Sequence, residues 1–329
     1  MTKMNHSSRM NISTSLNSKY MRYTYVMLTS LFENQPKNMD IHVYLLHSDL
    51  TLTDKEHLQT VVENHGGTLH LLQVDPSCLP ASCPTTVNWS LEMYFRLMLS
   101  RLLPEDVDRI LYIDVDTIVN HSLEDFYNTD FEGNMLCACT DPLNGEFPDI
   151  RNEIFAEHIK QGFTYFNSGV LLMNVSALRN KYGLEDYLKV AEDLEYNILA
   201  PDQDLLNYVH WNEVKIMDAN KYNLFARLAY NYDIHYEEVK EQVTIVHFPG
   251  RKPWSGVNLH FDIEQLWWDY AKKTPFYVEF MEEFIDQTIN DPTIFDTVEK
   301  MAKEKNALTE ELNKSVAMCQ KLLQMVQGK

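Results

Sequence analysis

The sequence predicts an α/β protein with a mostly parallel, doubly wound sheet, flanking helices and a C-terminal helical appendage. Short apolar runs alternate with helical stretches through residues 10–74, as they do in parallel sheets. Later apolar runs end at aspartates. After residue 258 the chain becomes helical and rich in aromatic residues. We therefore predict one domain over residues 10–258 and a helical extension over residues 259–329.

The first elements follow from hydrophobic periodicity and from helix-end signals. Residues 10–17 and 41–51 are apolar runs that predict strands, and residues between them have the spacing of a helix. The helix after the second strand is predicted to begin at an N-cap, Thr53, with Glu56 three residues further on. The pair Gly66–Gly67 predicts its end, and a third strand follows.

The middle of the chain contains a long loop and then another helix and strand. Residues 75–90 carry three prolines and no periodicity, which is typical of a functional loop. Residues 91–104, "LEMYFRLMLSRLLP", predict an amphipathic helix. That helix leads into the apolar strand of "RILYIDVDTIV", residues 109–119.

Composition excludes several classes of function. The formal net charge is −20, from 48 acidic and 28 basic residues, which disfavours a nucleic-acid partner. No apolar run is long enough for a transmembrane helix, and the N-terminal residues lack the apolar core of a signal peptide. The five cysteines lack the spacing of a disulfide framework, so we expect free thiols and a cytoplasmic location.

The pair Asp114 and Asp116 follows a buried-looking strand. Strand alternation would direct both carboxylates to one side, and ligands bind at the carboxyl edge of a parallel sheet. Neighbouring carboxylates repel each other unless a cation lies between them, and oxygen ligands suit Mg²⁺ or Mn²⁺. The local chemistry therefore indicates a metal–diphosphate site, although an isolated Asp-x-Asp is more often a solvated turn.

Five further segments accompany this one in a fixed order. The six are "MNISTSLNSKY", "EMYFRLML", "RILYIDVDTIV", "YFNSGVLLMNV", "PDQDLLNYV" and "VHFPGRKPW". Together they span about residues 10–254, and with them the chain resembles glycosyltransferase family 8. These are retaining enzymes of the GT-A fold, with a Rossmann-like sheet, and they include bacterial lipopolysaccharide galactosyltransferases. Single motifs of this kind are weak signals, whereas the ordered set is specific.

The resemblance implies a three-ligand metal site and a donor-binding site. Asp114 and Asp116 match the metal-binding Asp-x-Asp, and His247 matches the third ligand. An imidazole beside carboxylates favours Mn²⁺ over Mg²⁺, which stays an alternative. Gly250 and Lys252 match a turn that contacts the phosphates. The implied donor-binding residues are Ser15, Asn17, Tyr20, Arg96, Asp114, Val115, Asp116, Asp141, Asn167, Gly250 and Lys252.

The implied uridine pocket lies at the end of the first strand, from Ser15 to Tyr20. Tyr20 is expected to stack on the uracil. Many family members have an acidic residue where this chain has Asn17. An amide can both donate and accept hydrogen bonds, so Asn17 can still bind the edge of the base. A slightly shifted nucleotide is the alternative.

The implied sugar site combines Arg96, Asp141, Asn167 and the pair Asp202 and Gln203, of which the last two are the catalytic candidates. Each would otherwise be interpreted as a cap, a turn or a helix-surface residue. Retention by double displacement needs a nucleophile below the anomeric carbon, and the amide of Gln203 is a poor one. We therefore favour a same-face internal return, in which the leaving UDP oxygen assists the acceptor.

The resemblance implies transfer of glucose or galactose from UDP-glucose or UDP-galactose to an acceptor hydroxyl of a saccharide or glycolipid. Because the motifs above account for the donor site, the loop over residues 75–90 and the region after residue 254 are expected to form the acceptor site. An inactive UDP-sugar-binding protein is one alternative. A sugar-1-phosphate nucleotidylyltransferase is another, but it needs a Gly-rich loop after the first strand, and "TSLNSKY" has no glycine. A weak heptad in residues 301–327 allows a homodimer through the C-terminal helix, whereas the favoured interpretation of so short a run is a helix packed on its own core or a frayed tail.

Overall fold

The computed structural model describes residues 9–85, 90–142, 153–256, 260–290 and 292–327. The strands in these ranges are β1 Arg9–Leu16, β2 Asp40–His47, β3 Thr68–Gln73, β4 Arg109–Ile113, β5 Thr117–Val119, β6 Leu136–Thr140, β7 Phe166–Asn174, β8 Val214–Met217, β9 Leu224–Phe225 and β10 Ile245–His247.

The helices in the same ranges alternate with the strands at the start of the chain and follow one another directly in several later segments. They are α1 Met21–Glu33, α2 Leu52–Asn64, α3 Leu99–Leu102, α4 Glu124–Tyr127, α5 Ala156–Ile159, α6 Val175–Lys181, α7 Leu184–Asp193, α8 Pro201–Val209, α9 Ala219–Tyr222, α10 Ala226–Asn231, α11 Tyr236–Gln242, α12 Gln265–Ala271, α13 Tyr277–Asn290 and α14 Pro292–Gln327. Short 3₁₀ segments cover Ser18–Tyr20, Pro76–Cys78, Leu91–Met98 and Asp262–Glu264.

The described strands form a large sheet in the order β3-β2-β1-β4-β7-β6-β8 and a small one in the order β5-β10-β9. Within the large sheet only β7 runs against its neighbours, β4 and β6. The other pairings are parallel. The predicted mostly parallel α/β sheet is therefore confirmed, and β4 lies at its centre with β1 and β7 on either side.

Helices α1 and α2 show why the local sequence forms these elements. Leu28 and Leu31 of α1 are fully buried, as the helical spacing of apolar residues predicts. The predicted N-cap of α2 is wrong by two residues. Thr51, not Thr53, caps the helix: its side chain accepts from Asp54 N, and the Asp54 carboxylate accepts from Thr51 N. Because this aspartate lies at the third helical position, it closes the capping box.

The amphipathic helix predicted over residues 91–104 is wrong in type for most of its length. Leu91–Met98 is a 3₁₀ segment, and the α-helix α3 is confined to Leu99–Leu102. A 3₁₀ segment has three residues per turn, so side chains four apart do not lie directly above one another. Glu92 and Arg96 both extend into the protein from this segment and are buried.

The chain divides into two compact units. One runs to Pro253 and includes His260–Phe276, and the other comprises Trp254–Leu259 and Tyr277–Lys329. All ten described strands belong to the first unit. Within it, the Trp267 side chain is fully buried, and Trp268 is partly buried.

The second unit contains the long helix α14, whose side chains are exposed from position 298 to position 320. The heptad positions Met301, Leu308 and Leu312 are 58%, 66% and 63% exposed. Within the described ranges, no helix is both long enough and apolar enough to span a membrane. All five cysteines are free thiols.

The loop predicted over residues 75–90 is described except at positions 86–89. Its first part is a 3₁₀ turn, Pro76–Cys78, begun by Asp75, whose carboxylate accepts from Ser77 N. Leu79 and Cys83 are buried, and Pro84 O accepts a hydrogen bond of 3.1 Å from Tyr94 Oη. The described part of this loop is therefore packed on the core, and its proposed contact with an acceptor stays a prediction.

Candidate active site

The pairing of strands β5 and β10 positions the predicted metal ligands. Asp114 follows β4, the chain turns through Asp116, and β5 begins at Thr117. Strand β10 pairs antiparallel with β5, so that His247 lies opposite Thr117. Two segments far apart in sequence thus meet at the carboxyl edge of the sheet, where ligands bind in α/β proteins.

Asp114, Asp116 and His247 form a cluster that could hold a metal ion. One ligand atom from each lies within 4.8 Å of the others. Nε2 of His247 is 3.3 Å from Oδ1 of Asp116. The two carboxylates converge because the chain turns after Ile113; the strand alternation invoked from sequence is not the cause, since β4 has ended before Asp114.

Hydrogen bonds determine which nitrogen of His247 faces the carboxylates. Asn223 Nδ2 donates to Asn167 Oδ1 at 2.9 Å, so Asn223 Oδ1 is the atom that faces the histidine. His247 Nδ1 lies 2.9 Å from that oxygen and must carry the proton. In the neutral imidazole Nε2 then presents a lone pair toward Asp116. Two electron-rich atoms that face each other fit a cation between them, as in a metal site with an outer-shell partner.

Lys252 and Gly250 lie beside this cluster. Lys252 Nζ forms an ion pair with Asp116 Oδ2 and donates to Phe248 O at 3.0 Å. Although burial alone would raise the pKa of Asp116, the charge of Lys252 and the contact with His247 hold that pKa well below its usual range. Gly250 has φ of +74°, a conformation that favours glycine in the turn before the lysine. The phosphate-contacting turn predicted here is thus next to the metal cluster.

Gly169 was missed as a site residue by the sequence reasoning. A Cβ at this position would lie 2.5 Å from His247 Cε1 and 2.7 Å from Asp114 Oδ2. Its carbonyl oxygen also accepts from Asp114 N at 2.8 Å. Only glycine therefore leaves room for the cluster. The signal was present in the quoted motif "YFNSG", in which only the asparagine was singled out.

Arg96 is buried at the centre of the site. Its guanidinium lies 2.9 Å from Asp114 Oδ1 and 3.0 Å from Asp202 Oδ2, and it donates to Ser168 O at 2.6 Å. The planar group also stacks over the Tyr112 ring at 4.4 Å from the centroid. Arg96 thus joins a metal-ligand candidate to a sugar-site candidate, whereas the predicted role was direct contact with the donor.

Asp202 begins helix α8 and is only 6% exposed. Its Oδ2 accepts from Ser168 Oγ at 3.2 Å in addition to the ion pair with Arg96. Burial raises the pKa of this carboxyl, although the arginine charge acts in the opposite direction. The carboxylate is therefore held within the protein by two partners.

Gln203 is at the centre of a network of polar side chains. Its Oε1 accepts from Asn167 Nδ2 and from Ser168 N, each at 2.9 Å. Its Nε2 donates to Asp141 Oδ2 at 2.7 Å and to Tyr165 Oη at 3.1 Å. The structure thus brings the predicted residues Asp141, Asn167 and Gln203 together. Such dense, fixed partners suit the recognition of sugar hydroxyls.

The predicted uridine-pocket residues lie at the end of the neighbouring strand β1. Ser15 Oγ is 2.7 Å from Tyr112 Oη, which donates to Asp114 Oδ1 at 3.0 Å. A chain of hydrogen bonds therefore connects this pocket to the metal cluster. Tyr20 is partly exposed and contacts Tyr23 edge-on with centroids 5.8 Å apart. Val115 lies in the turn between the two aspartates and is partly buried.

This fold and this site define a class of protein, the glycosyltransferases of the GT-A fold. The profile described as "Glycosyl transferase family 8" matches residues 11–257. The chain belongs to this family, and it is a hexosyltransferase. The sequence prediction of the family is confirmed.

Similar proteins and structures agree with this assignment. A putative glycosyltransferase of Haemophilus influenzae is 27% identical over 83% of this chain and 86% of its own length. The lipopolysaccharide 1,3-galactosyltransferase of Salmonella typhimurium is 24% identical over 75% and 73%. The crystal structure of the galactosyltransferase LgtC with donor and acceptor sugar analogs has a TM-score of 0.65 at 24% identity, over 81% and 96%. That likeness shows the fold.

Proposed function

We propose that the protein transfers glucose or galactose from a UDP-sugar to an acceptor hydroxyl, with metal assistance and with retention of anomeric configuration. The cluster of Asp114, Asp116 and His247 carries this proposal. It lies where β4 ends, beside the amide and carboxylate side chains around Gln203. A diphosphate bound at the cluster would present its sugar to those side chains.

A saccharide or glycolipid acceptor is supported by the similar proteins. Two of them are a lipopolysaccharide 1,3-galactosyltransferase and a lipopolysaccharide 1,2-glucosyltransferase, the second 23% identical over 77% of this chain and 75% of its own length. These names favour a cell-surface glycan as the product, and they include both candidate hexoses. The free cysteines support the cytoplasmic location.

Asp114, Asp116 and His247 would hold the metal, for which Mn²⁺ is the first candidate and Mg²⁺ the second. When bound, such an ion acts as a Lewis acid that neutralises charge on a departing diphosphate. Lys252 supplies a second positive charge next to Asp116. Released from this ion pair, its ammonium group can contact a phosphate oxygen.

The polar network supports internal return as the route to retention. Oε1 of Gln203 already accepts two hydrogen bonds, and Asp202 is held by Arg96 and Ser168. Because these contacts hold both side chains, neither is available to attack the anomeric carbon. Their proposed role is to bind the sugar while the bond to UDP breaks and the acceptor oxygen attacks from the same face. Isolation of a covalent glycosyl-enzyme from a rapid quench would contradict this route.

A panel of UDP-sugars tests the enzyme class and the donor. We expect Mn²⁺-dependent release of UDP from UDP-glucose or UDP-galactose. Asp116→Asn should lower the rate of this release by more than about 100-fold, which exceeds the typical effect of removing a residue that only hydrogen-bonds to a metal ligand. Asp233→Asn is the matched control because that side chain is 99% exposed and pairs with His235. UDP-sugar binding without any turnover would favour the inactive binder. Formation of UDP-sugar from UTP and a sugar phosphate would favour the nucleotidylyltransferase.

The homodimer through α14 stays a prediction. Its support is the exposed apolar positions Met301, Leu308 and Leu312, spaced as a heptad predicts. Replacement of Leu308 and Leu312 by glutamate should convert a dimer to a monomer in sedimentation experiments. A wild-type protein that sediments as a monomer at high micromolar concentration would contradict the prediction.

A further inference from the structure

The partly buried Asn17 and the buried Glu92 form a hydrogen-bonded pair at the base end of the proposed nucleotide site. Asn17 follows β1, and Glu92 comes from the 3₁₀ segment Leu91–Met98. Asn17 Nδ2 lies 3.3 Å from Glu92 Oε2 and 3.4 Å from Ser90 Oγ. From the family resemblance, a carboxylate is expected at position 17. Here a carboxylate is present at the same place, but a different element supplies it.

The ordinary structural role of Asn17 would be to cap the 3₁₀ turn that follows it. Its backbone is extended, with φ of −107° and ψ of 175°, but its side chain makes no capping hydrogen bond. Within the turn, Tyr20 N donates to Asn17 O at 3.0 Å. The carboxylate of Asp49, not the Asn17 side chain, accepts from Ser18 N at 2.9 Å. The amide is therefore not committed to local structure.

One end of the Asn17 amide has no partner. Oδ1 is buried from solvent and accepts no hydrogen bond from any residue that the structure describes. A buried acceptor without a donor costs free energy, so such atoms are rare in native proteins and often mark a binding site. This atom requires a donor from a ligand or from bound water.

Glu92 determines the orientation of the Asn17 side-chain amide. Its carboxylate accepts from Ser48 Oγ and from Asn17 Nδ2, and it is 8% exposed. Although burial alone would raise the pKa of this carboxyl, hydrogen bonds from Ser48 and Ser90 lower it, so the group is ionised at neutral pH. An ionised carboxylate only accepts hydrogen bonds. It therefore holds the NH₂ end of Asn17, and Oδ1 must point away.

We propose that Glu92 is a positioning residue that orients Asn17 so that Oδ1 accepts the N3–H of uracil and excludes cytosine. This inference rests on the proposed use of a UDP-sugar. Uracil presents a donor at N3 between two carbonyl oxygens, whereas cytosine presents an acceptor at N3. With cytosine bound, Oδ1 would face a lone pair. Rotation of the amide would instead place Oδ1 against the carboxylate of Glu92.

Nucleotide affinities of the wild-type protein test the hydrogen bond directly. UDP, CDP and N3-methyl-UDP would be titrated calorimetrically in the presence of Mn²⁺. We expect UDP to bind at least about tenfold more tightly than either analogue, because each analogue leaves a buried acceptor unpaired. Equal affinities for UDP and N3-methyl-UDP would overturn the inference. If UDP itself failed to bind, the proposed function would be contradicted as well.

Variants at the two positions test the orienting role of Glu92. In Glu92→Gln the new amide can donate to Asn17 Oδ1, so the UDP-to-CDP affinity ratio should fall to within about threefold of unity. Asn17→Asp places two carboxylates together and should weaken UDP binding. The double variant Asn17→Asp/Glu92→Gln should restore the UDP-to-CDP affinity ratio of the wild type. In it, the amide introduced at position 92 donates to one oxygen of the new carboxylate, and N3–H donates to the other.

The control variant is Glu264→Gln, at a buried glutamate that pairs with His260. It should leave the affinity ratio unchanged. A ratio in Glu92→Gln equal to that of the wild type would overturn the proposal. If Glu92→Gln fails to fold, the double variant is compared with Asn17→Asp instead. A double variant that does not regain a preference for UDP over CDP then overturns the proposal independently.

Discussion

Nε2 of His247 lies 3.3 Å from Oδ1 of Asp116, with the proton of the imidazole held on the opposite nitrogen by Asn223. Two strands of the small sheet create this relationship, since β5 follows Asp116 and β10 ends at His247. Asp114 completes the group. The geometry and the donor set both fit a divalent cation, and the predictions below test what supports it.

Asn223 is expected to control the metal affinity without binding the metal. Asn223→Ala removes the acceptor for His247 Nδ1, which frees the ring to rotate and to change its tautomer. Outer-shell partners of this kind are typically worth about 10–100-fold in metal affinity or activity. Mn²⁺ titration should show such a loss. Asn220→Ala, at an exposed position of helix α9, which ends immediately before Asn223, should show no loss, and equal affinities in the two variants would contradict the account.

Gly169 is expected to be required for the site. Gly169→Ala introduces a Cβ at 2.5 Å from His247 Cε1, so the histidine or the strand must move, and Mn²⁺ affinity should fall at least about tenfold. Gly66→Ala is the control for stability. Gly66 has φ of +79° with no atom within 4 Å of the added Cβ, so alanine there strains only the backbone. Loss of thermal stability with full Mn²⁺ affinity in Gly169→Ala would refute this role.

Arg96 is expected to dominate the stability of the site. Arg96→Met leaves the partly buried Asp114 and the buried Asp202 without their shared cation. Removal of one partner from a buried ion pair typically costs about 3–5 kcal/mol in the free energy of unfolding. Urea denaturation of the metal-free protein measures this loss. Arg101→Met, at an exposed arginine that donates to Tyr182 O, should cost less than about 1 kcal/mol, and a similar small loss in Arg96→Met would be inconsistent with the geometry.

His210 is expected to reduce stability on mild acidification. Burial lowers its pKa below the ordinary 6.5, even though Glu213 acts in the opposite direction. The unfolded chain therefore binds a proton more readily than the folded protein, so the free energy of unfolding falls as the pH drops below about 6.5. Glu213, whose pKa the hydrogen bond from His210 lowers to about 2, stays ionised in this range.

The measurement is urea denaturation of the wild type and of His210→Gln between pH 7.5 and 5.5. The variant should lose less stability than the wild type across that interval, because its buried side chain does not titrate. Its absolute stability is expected to be lower, since the hydrogen bond between His210 Nε2 and Tyr187 Oη, 2.8 Å long, is altered. Identical pH slopes would show that His210 does not contribute.

The sequence was sufficient for the fold class and for naming the three residues that the structure brings together as a candidate metal cluster. Alternating strands and helices predicted the sheet because the period of apolar residues reflects which face is buried. The ordered motifs predicted Asp114, Asp116 and His247 as a group, which no single motif could do. The reversed strand β7 was not predicted, since strand direction depends on connections that span many residues.

The remaining site features depend on three-dimensional proximity. Glu92 was not singled out because its contact with Asn17 joins residues on different elements. The importance of Asn223 likewise arises only where β9 and β10 pair. Local energetics account for the incorrect helix start, because Thr51 and Thr53 can both act as caps and the acidic partner of Thr51, Asp54, decides between them.

Electron spin echo spectroscopy of bound Mn²⁺ tests the central claim most directly. The protein would be loaded with one equivalent of Mn²⁺ and UDP, and nitrogen modulation from a directly coordinated imidazole would be recorded. We predict one coordinated histidine nitrogen, absent in His247→Ala and retained in His235→Ala, whose histidine is exposed. A spectrum without coordinated nitrogen, or one that His247→Ala leaves unchanged, would contradict the account.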